Sequence, residues 1–215
     1  MTLHFELIPS RVKDSRQLLV ALHGLGDSLE GYRWLPDALR IPSMNYLLVN
    51  APDDYYGGFS WYDIYGNPEP GIRRSRALLV SLLEDLERQG FPASQTTLLG
   101  FSQGCLMTIE LAARFPKRFA GVVAISGYVH QPEVLVKELS PVAGEQRILF
   151  THGSLDKLIA SSEVERQVEL LRKAGLHIQW KVFAKEHTIA GEEEIRLIRQ
   201  FVEEGYPVAP LPAKQ

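Results

Sequence analysis

Short, almost uninterrupted apolar runs recur along this chain, separated by stretches whose apolar positions repeat every three to four residues. Leu18–Leu22, Tyr46–Val49, Thr96–Leu99, Val122–Ile125 and Arg147–Phe150 are the continuous runs. Their lack of alternation predicts inner strands covered on both faces. Ile178, Trp180 and Val182 alternate with His177, Gln179 and Lys181, which predicts a strand with one wetter face. The opening residues, Met1 to Leu7, carry Glu6 inside an apolar stretch and read as a strand, not a signal peptide. Helices are predicted between the strands. Leu79, Leu82, Leu83 and Leu86 form one stripe, closed by Gly90 and Pro92, and Leu106, Ile109 and Ala113 form another, stopped by Pro116. Val164, Val168 and Leu171 form a third, with a capping box expected at Ser162-x-x-Glu165 and an end at Gly175. Ile195, Ile198 and Phe201 make the last, with Glu192, Glu193 and Glu194 at its positive end.

Strand–helix alternation of this kind predicts an α/β fold, a mostly parallel central sheet with helices on both faces. The 215 residues suit one domain with a sizeable core, expected over residues 1–206, followed by a Pro-rich C-terminal tail over 207–215. Two connections are long, Pro52 to Gly71 and Gly127 to Gln146, and long loops in α/β domains are where substrate contacts are sought. A net charge of −3 argues against a nucleic-acid surface or a basic membrane patch. No apolar run approaches the ~20 residues that span a bilayer. The single cysteine, Cys105, excludes an internal disulfide and a Cys-only metal site. A cytoplasmic protein is the expectation, as a monomer or a small homo-oligomer.

Candidate chemistry changes the picture at Gly100-Phe101-Ser102-Gln103-Gly104, which follows a predicted strand and opens a predicted helix. In the G-x-S-x-G setting the chain turns sharply and exposes the serine at the turn. Glycines two before and two after it avoid side chains that would meet the neighbouring strand or helix. A serine hydroxyl needs a base within hydrogen-bond reach. In open parallel sheets the useful loops lie at the carboxyl ends of strands, and this ranks the six histidines. His187 follows the 178–183 strand and precedes the last helix. His152 and His23 also follow strands, His4 and His177 lie within strands, and His130 sits in a long connection. His187 is the expected base. Asp156, in His152-Gly-Ser-Leu-Asp156, follows a strand and completes the chain order Ser102, Asp156, His187 expected of an α/β-hydrolase. The backbone N–H of Gln103 is one expected oxyanion donor. The loop His23-Gly24-Leu25-Gly26-Asp27 supplies the other, at Leu25. As a dinucleotide loop that segment lacks the third glycine of G-x-G-x-x-G, since position 29 is Leu29.

These motifs, with Trp61-Tyr-Asp-Ile64, resemble the phospholipase/carboxylesterase family that includes the acyl-protein thioesterases, small α/β-hydrolases without a large cap domain. They span residues 23 to 187 in the family's order. The resemblance implies hydrolysis of carboxylic esters or thioesters, a Ser102/Asp156/His187 triad, and oxyanion donors at Leu25 and Gln103. Cys105 stands where the family usually has glycine, Lys157 where it commonly has proline, and Thr188 at a variable place.

Tyr55, Tyr56, Phe59, Trp61, Tyr62 and Tyr65 crowd the first long connection, as either an acyl-binding wall or a self-packed cluster. Asp63 in the same segment is a competing carboxylate that the resemblance assigns to architecture and pocket wall. Leu25, Trp61, Ile64 and Ile72 are the candidate substrate contacts. The expected activity is hydrolysis of short- to medium-chain acyl esters through an acyl-enzyme on Ser102, with no metal or cofactor. Alternatives are an acyl-protein thioesterase or lysophospholipase and, from another class, a catalytically silent hydrolase fold used for binding.

Overall fold

The structure, a computed structural model, describes residues 2–206. The expected tail at 207–215 lies outside the described residues. Among the described residues nine strands and six α-helices follow in chain order. The strands are β1 (Phe5–Ile8), β2 (Leu18–Leu22), β3 (Asn45–Val49), β4 (Asp53–Tyr55), β5 (Gly58–Ser60), β6 (Thr96–Phe101), β7 (Gly121–Ile125), β8 (Arg147–Gly153) and β9 (His177–Phe183). The helices are α1 (Leu35–Leu39), α2 (Glu69–Arg88), α3 (Gln103–Arg114), α4 (Pro132–Leu135), α5 (Ser161–Lys173) and α6 (Glu192–Glu204).

Seven strands form one sheet in the order β1-β3-β2-β6-β7-β8-β9. Only β1 runs antiparallel, against β3; the other pairs are parallel. All five continuous apolar runs are inner strands, because each side of the sheet is covered. Leu18, Val20 and Leu22 pack with α2, α3 and α5 on one face, while Leu19 and Ala21 pack with α1 and α6 on the other. On the edge strand β9, Ile178 is buried, Trp180 half-buried and His177, Gln179 and Lys181 exposed, as its alternation predicts, but Val182 is exposed and Phe183 is buried after it. No cap domain is inserted among the described residues. Among the described residues no helix is long and apolar enough to cross a membrane.

Three local expectations need correction. Helix α5 begins at Ser161 with Ala160 at its N-cap and no side-chain cap, so Ser162 lies inside the first turn. The cause is tertiary: the N–H of Ile159 goes to Asp156 and its carbonyl lies 2.9 Å from His152, which fixes where the chain enters the helix. The connection from Pro52 holds the antiparallel pair β4–β5, and α2 starts at Glu69, nearly three turns before Leu79 opens its apolar stripe. His4 precedes β1 instead of lying within it.

Candidate active site

Strand β6 carries its chain straight into α3, and Ser102 is the turning point. Its backbone takes φ 55°, ψ −113°, a left-handed-side conformation that costs about 1–3 kcal/mol for a non-glycine residue. Neighbouring glycines permit it. A Cβ on Gly100 would sit 2.1 Å from the carbonyl oxygen of Gly104, and one on Gly104 would sit 2.1 Å from that of Leu22. Strand and helix therefore approach closely on both sides of the serine, and its N–H is held by the Ile125 carbonyl at 2.9 Å.

Three distant side chains meet at this turn. His187 Nε2 lies 2.9 Å from Ser102 Oγ, and His187 Nδ1 lies 2.7 Å from Asp156 Oδ2. A carboxylate only accepts, so Nδ1 carries the proton and the Nε2 lone pair faces the hydroxyl. Asp156 Oδ1 accepts the N–H groups of Leu158 and Ile159, each at 2.9 Å. Burial pushes the Asp156 carboxyl up, but the hydrogen bonds from Ile159 and His187, the histidine's charge and the Leu158 bond outweigh it and hold it below the ordinary carboxylate range. The imidazole also packs on Phe101, ring centroids 5.0 Å apart.

The other histidines that follow strands are occupied elsewhere. His23 Nε2 accepts the Ala51 N–H at 3.0 Å, so its Nδ1 proton points to the Gly24 carbonyl at 2.6 Å. His152 is buried behind Asp156, its Nε2 2.9 Å from the Ile159 carbonyl and 3.5 Å from Asp156 Oδ2. Burial pulls both imidazoles below their ordinary value, more than their neighbouring carbonyls and carboxylates raise them. His130 faces Glu69 at 2.9 Å, and His177 is exposed.

The two expected oxyanion donors sit on either side of the serine. Gly24 lies against it, since a Cβ there would be 3.3 Å from Ser102 Cβ. The Leu25 N–H donates to no carbonyl among the described residues, and the Gln103 N–H, at the first position of α3, is left open by helix geometry. Sequence reasoning missed what joins them. The Gln103 side chain is buried; its Oε1 accepts the Trp61 N–H at 2.9 Å and its Nε2 donates to the Tyr62 carbonyl at 2.8 Å. Trp61 Nε1 donates in turn to the His23 carbonyl at 2.9 Å. A continuous hydrogen-bonded path thus links the Gln103 donor to the Leu25 loop. Gly26 N to Phe59 O and Phe59 N to Asp27 O, both 2.9 Å, close it on the far side. A polar Gln in an otherwise apolar helix start was the only signal available in the sequence.

The candidate substrate contacts divide. Trp61 and Ile72 are 0% and 1% exposed, so the expectation that they line an acyl pocket is corrected: they support the loop from within the core. Tyr62 is equally buried, whereas Tyr56 and Tyr65 stand out in solvent. Ile64 is 45% exposed and Leu25 half-buried, so both present surface. Asp63 accepts the Tyr65 N–H and takes no part in the cluster. Cys105 is fully buried beside Gly127, and burial pushes its thiol far up. It is a small core residue. Two surface clefts, of about 780 and 480 Å³, lie along α1. Neither is lined by Ser102, Asp156 or His187, so the side-chain constellation marks the site better than cleft volume does.

Comparison with known proteins adds an independent line. A family model described as Phospholipase/Carboxylesterase matches residues 4–204. Acyl-protein thioesterase 1 of Debaryomyces hansenii is 28% identical over 219 residues, covering 92% of this chain and 94% of that protein. Acyl-protein thioesterase 1 of Schizosaccharomyces pombe is 31% identical over 156 residues, 66% of this chain and 70% of its own. Among solved structures, esterase PE8 superposes with a TM-score of 0.86 at 26% identity, over 96% of this chain and 100% of that one.

Proposed function

This chain belongs to the phospholipase/carboxylesterase family, and from that premise we propose that it hydrolyses short- to medium-chain carboxylic esters through an acyl-enzyme on Ser102. The observation that carries the proposal is the relay from Ser102 Oγ through His187 to Asp156, with both links at hydrogen-bond distance. His187 Nε2 takes the hydroxyl proton as Ser102 attacks the ester carbonyl. The tetrahedral oxyanion rests on the Leu25 and Gln103 N–H groups, each such donor being worth ~10²–10³ in rate. Asp156 stabilises the imidazolium. His187 then returns the proton to the departing alkoxide, and a water deprotonated by His187 releases the acid from the serine. Residues 1–206 act as one hydrolase unit in this scheme.

The acyl chain lies along an apolar rim formed by Leu25, Ile64 and the side chains flanking Asp156. Leu155 and Leu158 there are 55% and 77% exposed. Trp61 and Ile72 shape this rim from behind. A fluorophosphonate probe tests the proposal: labelling of the wild type that disappears in Ser102→Ala is expected, and labelling that persists overturns the assignment.

A second reading, a thioesterase acting on acylated protein cysteines, is favoured by the relatives named acyl-protein thioesterase 1. A thiolate leaves without protonation, so the same residues suffice. Rates on matched oxygen esters and thioesters, across a series of acyl lengths, separate the two readings and the lysophospholipase alternative.

A further inference from the structure

One buried ion pair near the site has no part in the steps above. Lys185 Nζ lies 2.6 Å from Glu194 Oε1 and 2.9 Å from Oε2, with the two side chains 3% and 0% exposed. Burying such a pair strips both charges of water, and apolar side chains of similar size often serve stability as well or better. Its value lies more in where it sits than in what it adds to stability. Lys185 stands two residues before His187, and Glu194 Oε2 accepts the N–H of Ala190, three residues after it. The pair therefore grips the histidine loop on both sides.

The same grip reaches the carboxylate. The Lys185 carbonyl accepts the Leu155 N–H at 3.0 Å, next to Asp156. Gly153 makes the approach possible, because a Cβ there would lie 2.3 Å from the Lys185 carbonyl oxygen. Tight i to i−2 bonds, Lys185 N to Phe183 O and Thr188 N to Glu186 O, both 2.9 Å, leave the loop little freedom between those anchors. We propose that Lys185 and Glu194 are positioning residues for His187, holding the imidazole within reach of both Ser102 and Asp156. The inference rests on the assignment of Ser102, Asp156 and His187 made above. Glu194 has a second effect. It keeps paired a cation that lies within electrostatic reach of Asp156, Cys105 and His152.

The test compares wild type, K185M/E194M, E194Q and S102A on a water-soluble short-chain ester, below each variant's melting temperature. The double variant should stay folded, because no charge is left unpaired, yet lose about tenfold in kcat with KM within twofold. E194Q leaves the cation bare and should lose more, on the order of a hundredfold, again in kcat. A folded double variant with wild-type kcat overturns the inference, as does a loss confined to KM. If neither variant folds, the pair is a determinant of the fold alone and the inference is equally lost. S102A separates the two levels: should it retain activity, the underlying site assignment fails; should it be inactive while the double variant is unimpaired, only the positioning role fails.

Discussion

The two halves of the site are built from different materials. The half that holds Ser102 is made of backbone: a strained turn, glycines at 24, 100 and 104, and N–H groups aimed outward and linked through the Gln103 amide. The half that holds His187 is made of side-chain charge, Asp156 and the Lys185–Glu194 pair, with His152 buried behind them. Backbone geometry hardly changes with pH, whereas a charged scaffold responds to its protonation state; added atoms are refused at Gly100 and Gly104 on the first half and at Gly153 on the second. The Ser102 half should therefore fail through sterics alone and the His187 half through electrostatics as well.

The comparison is tested most severely at its centre. Ser102→Ala should reduce turnover by ~10⁴–10⁶ with unchanged circular dichroism, and purified variant retaining a tenth of the activity would refute it. Gly104→Ala comes next. Its methyl group would press on the Leu22 carbonyl, lowering stability by about 3 kcal/mol in urea titrations and activity by roughly a hundredfold through displacement of Ser102. A variant as stable as the wild type would show that the elbow yields, and the contrast between the halves would weaken. Gln103→Ala keeps the backbone donor but strands the Trp61 N–H and leaves the Tyr62 carbonyl with the Ser60 hydroxyl alone, at a cost of about 2 kcal/mol. If the clamp also sets the oxyanion donors, kcat should fall roughly tenfold; unchanged kcat in the less stable variant would make it purely structural.

Acid is the probe of charge. Burial keeps His23 and His152 below the ordinary 6.5, so the unfolded chain takes up protons that the folded protein refuses. Stability is complete above that value and declines as pH falls below it, by at most about 1.4 kcal/mol per pH unit for each histidine. Asp156 acts lower on the scale. Its depressed carboxyl contributes stability that is present above the ordinary 3.8 and lost as pH falls through the folded-state value. Urea midpoints at pH 7.5, 6.5 and 5.5 should drop in that order, and a flat series would contradict the neutral assignment of both imidazoles. The smallest effect belongs to the rim. Ile64→Ser should leave stability within about 0.5 kcal/mol and raise KM for the longer acyl chains two- to threefold, while equal KM values along the series would remove Ile64 from the substrate path.

Much of this was legible in order and pattern alone. Short uninterrupted apolar runs between amphipathic helical stretches predict strands with two covered faces, and all five are. Gly100 and Gly104, two before and two after a serine at a strand-to-helix turn, mark a close approach in the sequence itself. The order of Ser102, Asp156 and His187 along the chain, each after a strand, was likewise enough to select them, because parallel strands deliver their ends to one edge. Tertiary structure showed how His23 and His152, which occupy equivalent places after their own strands, are engaged elsewhere. It also moved Trp61 and Ile72 from the pocket to the core and brought Lys185 to Glu194. Those outcomes depend on which groups share a buried volume, and burial belongs to the assembled fold. Local pattern records the period of an element and the place of a turn; it carries no information on which distant partner will satisfy a hydrogen bond or neutralise a charge.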